Sequence, residues 1–130
     1  MRLLLDTHIA LWAVYQSDRL PGPARLLLQD QCAEVYFSVV SLWEITIKGM
    51  KYPGQLPSSG TARKDFLDAG MKEWPLRGDV FAGLEALPPL HHDPFDRLLV
   101  ATAFTEPMRF LTVDRLLGNY DIGHDLIVVL

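Results

Sequence analysis

Short apolar runs of strand type alternate with segments of helical periodicity along the 130 residues of the chain. The first run, residues 3–5, ends abruptly at Asp6, which is typical of a strand buried on both faces. Predicted strands cover residues 3–5, 35–37, 74–76, 109–112 and 126–129. Predicted helices cover residues 8–15, 24–32, 61–72, 78–87 and 93–105, with another from Ser41 to the breakers at 49–54 and a short one before the last strand. Such alternation predicts an α/β sandwich around a mostly parallel sheet.

The composition favours one globular domain. Apolar residues make up 49% of the sequence, enough to bury a core, and the net charge of −4 excludes a strongly basic coat but not a local basic patch. With Cys32 as the one cysteine, neither an intrachain disulfide nor a zinc site of paired cysteines can form. The opening apolar run is too short for a signal peptide, and no run approaches the roughly 20 residues of a membrane span. We expect a single cytoplasmic domain over residues 1–130, with no membrane partner.

Four acidic residues stand beside predicted strand ends. Asp6 directly follows the first strand, Glu44 lies a turn into the helix after the second, and Asp114 follows the fourth. Asp96 stands at the start of the helix that precedes this fourth strand. In open α/β sheets, ligands gather beyond the carboxyl ends of the strands, where the strand order reverses. If the first strand is central, the four acids converge in that crevice.

Each acid also has an ordinary structural explanation. Asp6 and Asp114 are placed to cap helices. Ser41 and Glu44 have the spacing of a capping box, in which the serine caps the helix and the glutamate reaches back to it. Asp93 is placed to cap a helix that begins with a proline, and the helix dipole favours the acid three residues later. Taken singly, capping is the better explanation for each acid, but it does not explain why they cluster.

A cluster of four carboxylates predicts a metal site. Close carboxylates repel one another, and their pKa values rise unless a cation compensates the charge. Mg²⁺ and Mn²⁺ prefer oxygen ligands, often one or two carboxylates with waters and substrate phosphate. Such an ion stabilises a phosphoryl transition state, so convergence of the acids would indicate metal-assisted phosphodiester hydrolysis.

The acids lie within motifs that resemble those of PIN-domain ribonucleases, especially VapC-type toxins of prokaryotic toxin–antitoxin pairs. The matching stretches are residues 4–8 (LLDTH), 38–45 (SVVSLWEI) with Ile47 and Lys48, 91–101 (HHDPFDRLLVA) and 111–114 (LTVD). One motif alone is weak, but all four occur in family order across the chain. The resemblance implies a PIN-like three-layer sandwich with a five-stranded, mostly parallel central sheet flanked by helices.

The resemblance also implies an endoribonuclease that depends on Mg²⁺ or Mn²⁺. Asp6, Glu44, Asp96 and Asp114 match the acidic quartet of the family one for one. By this likeness Asp6 and Asp96 hold metal most directly, and Asp114 is a further or water-mediated ligand. Glu44 would orient or activate the attacking water, or help to bind a second metal. The neighbouring polar residues Thr7 and Thr112 would support these ligands, and Asp93 is first a helix cap and second an auxiliary ligand.

Partners follow from the same resemblance. Lys48 and Arg97 are the basic residues that we expect nearest to the phosphates of bound RNA. A cognate antitoxin would place a C-terminal segment in an apolar groove and an Arg or Lys side chain on the acids. The groove would consist of Leu11, Trp12, Tyr15, Leu26 and Leu27, although core packing is the first explanation of this stripe. PIN toxins also tend to form homodimers.

Other functions stay open at this stage. A housekeeping PIN nuclease in RNA processing or decay would use the same acids, as would a metal-dependent phosphatase or DNase. A non-enzymatic binding module would use them only as helix caps. The serines lack a nucleophile-elbow pattern, and no Gly-rich phosphate loop follows a strand, which disfavours serine catalysis and ATPase activity. The adjacent His91 and His92 are interpreted as a surface loop rather than a metal cluster.

Overall fold

A five-stranded sheet forms the centre of the protein in the computed structural model, which describes residues 1–89, 93–120 and 126–130. The strands are β1 (Arg2–Leu5), β2 (Glu34–Ser38), β3 (Lys72–Trp74), β4 (Arg109–Thr112) and β5 (Ile127–Val129). The α-helices of the described part are α1 (Thr7–Tyr15), α2 (Gly22–Gln29), α3 (Val39–Lys51), α4 (Ser59–Asp68), α5 (Val80–Ala86) and α6 (Pro94–Thr105). Short 3₁₀ helices cover Ser17–Arg19 and Leu117–Asn119.

The strand order is β3-β2-β1-β4-β5, and all four pairings are parallel. The first strand of the chain is therefore the middle strand of the sheet, where Leu3 pairs with Val35 on one side and Leu5 with Leu111 on the other. The predicted parallel α/β architecture is confirmed. Because the order runs outward in both directions from β1, the reversal point lies at the carboxyl ends of β1, β2 and β4.

Side chains of β1 alternate between two cores, as the period of a strand requires. Leu3 and Leu5 pack on the face covered by α1, α2 and α4, whereas Leu4 packs on the face covered by α5 and α6. Helix α3 contributes to both cores, through Ile45 on the first face and Val40 on the second. The start of α3 is thereby fixed at the edge of the sheet, beside the carboxyl ends of the strands.

The start of α3 differs from the predicted one. The helix begins at Val39, because the side chain of Ser38 caps it by accepting a hydrogen bond from the amide of Val40 at 3.0 Å. Ser41 lies inside the helix and is fully buried. The capping box predicted from Ser41 and Glu44 is therefore wrong, since both residues are too far into the helix to cap it.

Three other boundaries shift for local reasons. Helix α4 starts at Ser59 under a cap from Ser58 and ends before Gly70, whose φ of +92° a side-chain-bearing residue rarely adopts. Strand β3 then covers 72–74 rather than 74–76, because Pro75 has no amide to continue the ladder. Helix α2 ends at Gln29 instead of Cys32, since the carboxylate of Asp30 accepts from the amide of Cys32 in a turn.

No helix in the described ranges is long and apolar enough to cross a membrane. The interpretation of His91 and His92 as a surface loop concerns residues outside those that the structure describes.

Candidate active site

The four acids lie at one edge of the sheet, beside the carboxyl ends of the three middle strands. Asp6 follows β1 directly, Glu44 lies in the second turn of the helix after β2, and Asp114 lies two residues beyond β4. Asp96 joins them from the first turn of α6. The neighbouring acids affect the pKa of Asp96. Burial is the largest cause of the rise, the negative charges of the other acids come second, and together they raise this pKa to about 8. The acids that act on it are Asp6, Asp93, Glu44 and Asp114.

Asp6 is almost fully buried and held at both oxygens. The hydroxyl of Thr112 donates to its Oδ2 at 2.6 Å, and the amide of His8 donates to its Oδ1 at 3.2 Å. Burial raises the pKa of Asp6, although these two hydrogen bonds oppose the rise. The same Thr112 hydroxyl oxygen accepts from the amide of Asp114 at 3.0 Å. Thr112, which is predicted to support the acids, thus links Asp6 and Asp114 through its hydroxyl group.

Glu44 is also buried, with a hydrogen bond to each carboxylate oxygen. The hydroxyl of Thr7 donates to Oε1 at 2.7 Å, and the ammonium group of Lys48 donates to Oε2. Thr7 Oγ1 lies 2.8 Å from the Ser41 hydroxyl, which completes a buried chain of three side chains. Ser41 is the residue of this network that the sequence interpretation missed. In the sequence, Ser41 stands among apolar residues one turn before Glu44. This pattern indicates a position inside the helix rather than at its start.

Helix α6 positions Asp96 through the cap that was predicted at its start. The carboxylate of Asp93 accepts from the amides of Phe95 at 2.9 Å and Asp96 at 3.4 Å. Asp93 therefore caps the helix and also adds negative charge beside Asp96. Asp6 likewise caps α1. Asp6 and Asp93 therefore each cap a helix and also belong to the acidic cluster.

One interpretation of Asp114 was a helix cap, but its side chain stabilises a turn instead. Its Oδ1 accepts from the amide of Leu116 at 2.9 Å, ahead of the 3₁₀ helix Leu117–Asn119. The side chain is half-buried, so it lies at the boundary between the buried acids and solvent.

The two predicted RNA-contacting cations differ in their surroundings. Lys48 pairs with Glu44. Burial opposes its charge, but the hydrogen bond to Glu44 and the charges of Glu44, Asp93 and Asp96 raise the pKa of Lys48 above the usual lysine value. Arg97 donates from Nη2 to the carbonyl of Leu87 at 3.4 Å, while its buried Nε has no hydrogen-bond partner among the described residues. Contact of either residue with RNA stays a prediction.

The donor set suits a hard divalent cation. Within the described ranges, no three His, Cys, Asp or Glu side chains are arranged so that they could hold one ion together. Mg²⁺, however, is commonly held by one or two carboxylates and keeps several waters. The donors here are all carboxylate oxygens, and the negative charges of the neighbouring acids add to the effect of burial in raising the pKa of Asp96. These residues therefore fit Mg²⁺ or Mn²⁺.

The apolar stripe on α1 and α2 divides between core and surface. Leu11, Trp12 and Leu27 pack against the core, whereas Tyr15 and Leu26 are exposed, the latter at 73%. A separate cavity of about 560 Å³ opens between α1, α2 and the starts of β2 and β3. Because all strands are parallel, the starts of β2 and β3 lie at the opposite edge of the sheet from the acids. The cavity is thus not part of the acidic site.

A parallel α/β sandwich with carboxylates at its reversal point belongs to the class of proteins that bind ligands at the carboxyl edge of the sheet. The model of the PIN domain family matches residues 3–122. The chain therefore belongs to the PIN domain family, whose nucleases hydrolyse nucleic acids. The resemblance noted in the sequence is confirmed at this level.

The fold also matches a solved structure, the crystal structure of VapBC2 from Rickettsia felis bound to a DNA fragment from their promoter. The TM-score is 0.68 at 16% sequence identity, and the match covers 94% of this chain and 95% of that chain. At this identity the likeness shows a shared fold. No curated protein sequence matches the chain.

Proposed function

We propose that this protein is a metal-dependent endoribonuclease and the toxin of a toxin–antitoxin pair, inhibited by a cognate antitoxin in the cytoplasm. The observation that carries the proposal is the placement of Asp6, Glu44, Asp96 and Asp114 at the carboxyl ends of the middle strands, where the neighbouring acids add to the effect of burial on the pKa of Asp96. Membership of the PIN domain family supports the nuclease activity. The fold shared with VapBC2 supports the assignment to the toxin class.

Asp6 and Asp96 would hold Mg²⁺ or Mn²⁺, with Asp114 as a further or water-mediated ligand. When bound, the ion stabilises the negative charge that develops on the phosphate during hydrolysis. Thr112 holds the Asp6 carboxylate in one orientation through the hydrogen bond of 2.6 Å. The Asp93 carboxylate caps the first turn of α6 and so fixes the backbone position of Asp96. These supports preorganise the ligands.

Glu44 serves the attacking water in this proposal. Its Oε1 is held by Thr7, so the carboxylate keeps a fixed direction. A carboxylate held in one direction can accept a hydrogen bond from water and take its proton as the phosphodiester bond breaks. Thr7 is accordingly a positioning residue, and Ser41 supports it from inside α3.

The antitoxin would act on both the stripe and the acids. We expect its C-terminal segment to cover the exposed Tyr15 and Leu26 on the stripe defined above. An Arg or Lys side chain from the antitoxin would then neutralise the carboxylates and exclude metal and RNA. Coexpression of the cognate antitoxin would restore growth to cells that produce the toxin.

A homodimer is the expected oligomer. Trp43, Ile47 and Met50 recur on one face of α3 and are 50%, 41% and 76% exposed, so they form an apolar stripe that a second copy could bury. Light scattering of the wild-type protein should give the mass of a dimer, and that of Met50→Glu the mass of a monomer. A monomeric wild-type protein would count against this part of the proposal.

The activity is tested by incubating the protein with RNA, single- and double-stranded DNA and a phosphate ester, each with Mg²⁺, Mn²⁺ or EDTA. We expect internal cleavage of RNA that EDTA abolishes. Asp96→Asn should reduce the rate at least about 100-fold, the scale reported for loss of one transition-state-stabilising group. Asp68→Asn, which removes an exposed acid on α4, is the matched control and should cleave normally.

Other outcomes of this assay assign other functions. Cleavage of DNA or of the ester alone would identify a DNase or a phosphatase that uses the same acids. A folded protein that cleaves none of the substrates and binds no metal would be a binding module. Growth arrest on expression, relieved by Asp6→Asn, separates the toxin from a housekeeping nuclease, because the latter leaves growth unchanged.

A further inference from the structure

Arg97 directly follows Asp96 in the first turn of α6, but its side chain contacts a different helix. Its main-chain amide donates to the carbonyl of Asp93 at 3.1 Å, within the first turn. Its Nη2 donates to the carbonyl of Leu87 at 3.4 Å, just after α5 ends, and its Nε is buried. The residue therefore connects the end of α5 to the turn that carries Asp93 and Asp96.

The sequence after α5 explains why a donor from another helix is used at this end. Helices commonly end with hydrogen bonds from the two amides that follow the cap residue. Leu87 is the cap residue of α5, and the next two residues, Pro88 and Pro89, have no amide hydrogen. The end of α5 therefore cannot be closed by the two residues that follow it. The positive guanidinium group of Arg97 also suits the negative end of the helix dipole.

The contact lies at one end of the interface between α5 and α6. Gly83 allows the two helices to approach closely near Thr105, at the end of α6. Arg97 joins the same two helices at the start of α6. Loss of the arginine contact would leave the apolar packing of α5 on α6 in place. It would, however, remove one support from the first turn of α6, and thus from Asp96.

Contact with a phosphate would require the guanidinium group to leave this position. An arginine that binds phosphate usually presents two parallel N–H groups to it. In Arg97, Nε is buried and Nη2 is bonded to a main-chain carbonyl. Leu87 is only 8% exposed, so departure of the arginine would leave its carbonyl without this donor in a largely buried place.

We infer that Arg97 is a positioning residue for the proposed metal ligand Asp96, because it fixes the first turn of α6 against α5, and that it does not bind the phosphates of RNA. This inference rests on the proposed metal-dependent nuclease activity and names a residue on which its metal affinity depends.

The first test is the affinity of the purified full chain for Mn²⁺ without RNA, measured by titration calorimetry on the wild type, Arg97→Lys and Arg97→Gln. Lysine keeps the charge but is shorter and lacks the guanidinium fork, so it should not replace the contact with Leu87. Both variants should raise the Kd for Mn²⁺ about tenfold, within the range for residues that support metal ligands. Arg109→Gln removes an exposed arginine at the start of β4, at the opposite edge of the sheet, and should leave the Kd unchanged.

The second test is the salt dependence of binding to single-stranded RNA in EDTA. Loss of one phosphate contact reduces the slope of log K against log salt concentration by about one. Arg97→Gln should instead keep the slope of the wild type, because the inferred role involves no phosphate.

A control variant separates positioning from a general loss of stability. Phe66→Leu alters the core on the other face of the sheet. It should lower the Tm without changing the Kd for Mn²⁺. Circular dichroism establishes that each variant is folded before titration.

The outcomes separate this inference from the proposed function. Wild-type Mn²⁺ affinity in Arg97→Lys, an equal loss of affinity in Phe66→Leu, or a shallower salt slope in Arg97→Gln would overturn the inference and leave the metal-dependent nuclease standing. Absence of Mn²⁺ binding by the wild-type protein would overturn both.

Discussion

At the scale of the residue, burial and like charge act together on Asp96. Its pKa is about 8, whereas an unperturbed aspartate has 3.8. The folded state therefore binds this proton more tightly than the unfolded state. By linkage, the resulting stabilisation is complete below the unfolded pKa of 3.8 and is lost as the pH rises through about 8.

We therefore predict that the metal-free protein becomes less stable between about pH 4 and pH 8. Asp96→Asn, which has no proton to lose, should show a shallower decline. The measurement is the Tm of both proteins across this range in EDTA. Parallel curves would show that Asp96 has the same pKa in the folded and unfolded protein, and thus contradict the raised pKa.

The location of the acids, Thr7 and Thr112 at the carboxyl edge of the sheet could be predicted from the sequence, because strand ends and motif order place them there, whereas their roles stay predictions. The ion pair of Glu44 with Lys48 could not, although their spacing on a helix permits it. The spacing says that two side chains are neighbours, but burial decides whether the pair is held. Burial depends on the sheet edge and on α6, which are far away in the chain.

At the scale of the element, the close contact of α5 with α6 depends on a glycine. A Cβ on Gly83 would lie 2.7 Å from Thr105 Oγ1 and 3.4 Å from the Phe104 ring. Thr105 is β-branched and stiff, so it has little freedom to move aside. Gly49 in α3 is the opposite case, since a Cβ there would meet no described atom within 4 Å.

Substitution of these two glycines should therefore have opposite effects. Gly49→Ala should stabilise the protein by about 0.5–1 kcal/mol, because alanine loses less conformational entropy in a helix. In Gly83→Ala the contact with Thr105 should outweigh this gain, giving net destabilisation. Urea unfolding of both variants measures the difference. An equal gain at both positions would show that α5 can move away from α6 without cost.

Helix and strand order were predictable, whereas the ends of elements were less so. The alternation of apolar runs placed every strand to within two residues. The start of α3 was misplaced because Ser38 and Ser41 are both good caps by residue type. What distinguishes them is that β2 extends to Ser38 in the sheet, which is a tertiary fact.

At the scale of the whole molecule, the site joins both halves of the chain through the sheet, so ligand binding should stabilise the whole fold. At a free Mn²⁺ concentration of 100 Kd, binding to the native state alone adds about 2.7 kcal/mol. We predict a higher Tm with Mn²⁺ than with EDTA for the wild type, and no such shift for Asp6→Asn with Asp96→Asn. A shift that persists in the double variant would place the metal elsewhere.

The order of the strands in the sheet could not be predicted from the sequence, which supported the acidic cluster only on the condition that β1 is central. Periodicity identifies strands but not their neighbours, because pairing depends on contacts between distant residues. The convergence of the acids required β1 to be central, and the pairing of Leu4 with both Tyr36 and Phe110 provides this. The single domain over residues 1–130 stays a prediction.

The central place of β1 in the sheet determines when the acidic site can form during synthesis of the chain. Asp6 leaves the ribosome early, but its neighbouring strand β4 and Asp114 emerge more than 100 residues later. A nascent chain that ends within α6 has no β4 to cover Leu5 and no Thr112 to hold Asp6. The acidic site is therefore completed only after β4 and Asp114 have emerged, so a shorter nascent chain has Asp6, Glu44 and Asp96 without the fourth acid and without the hydrogen bond from Thr112.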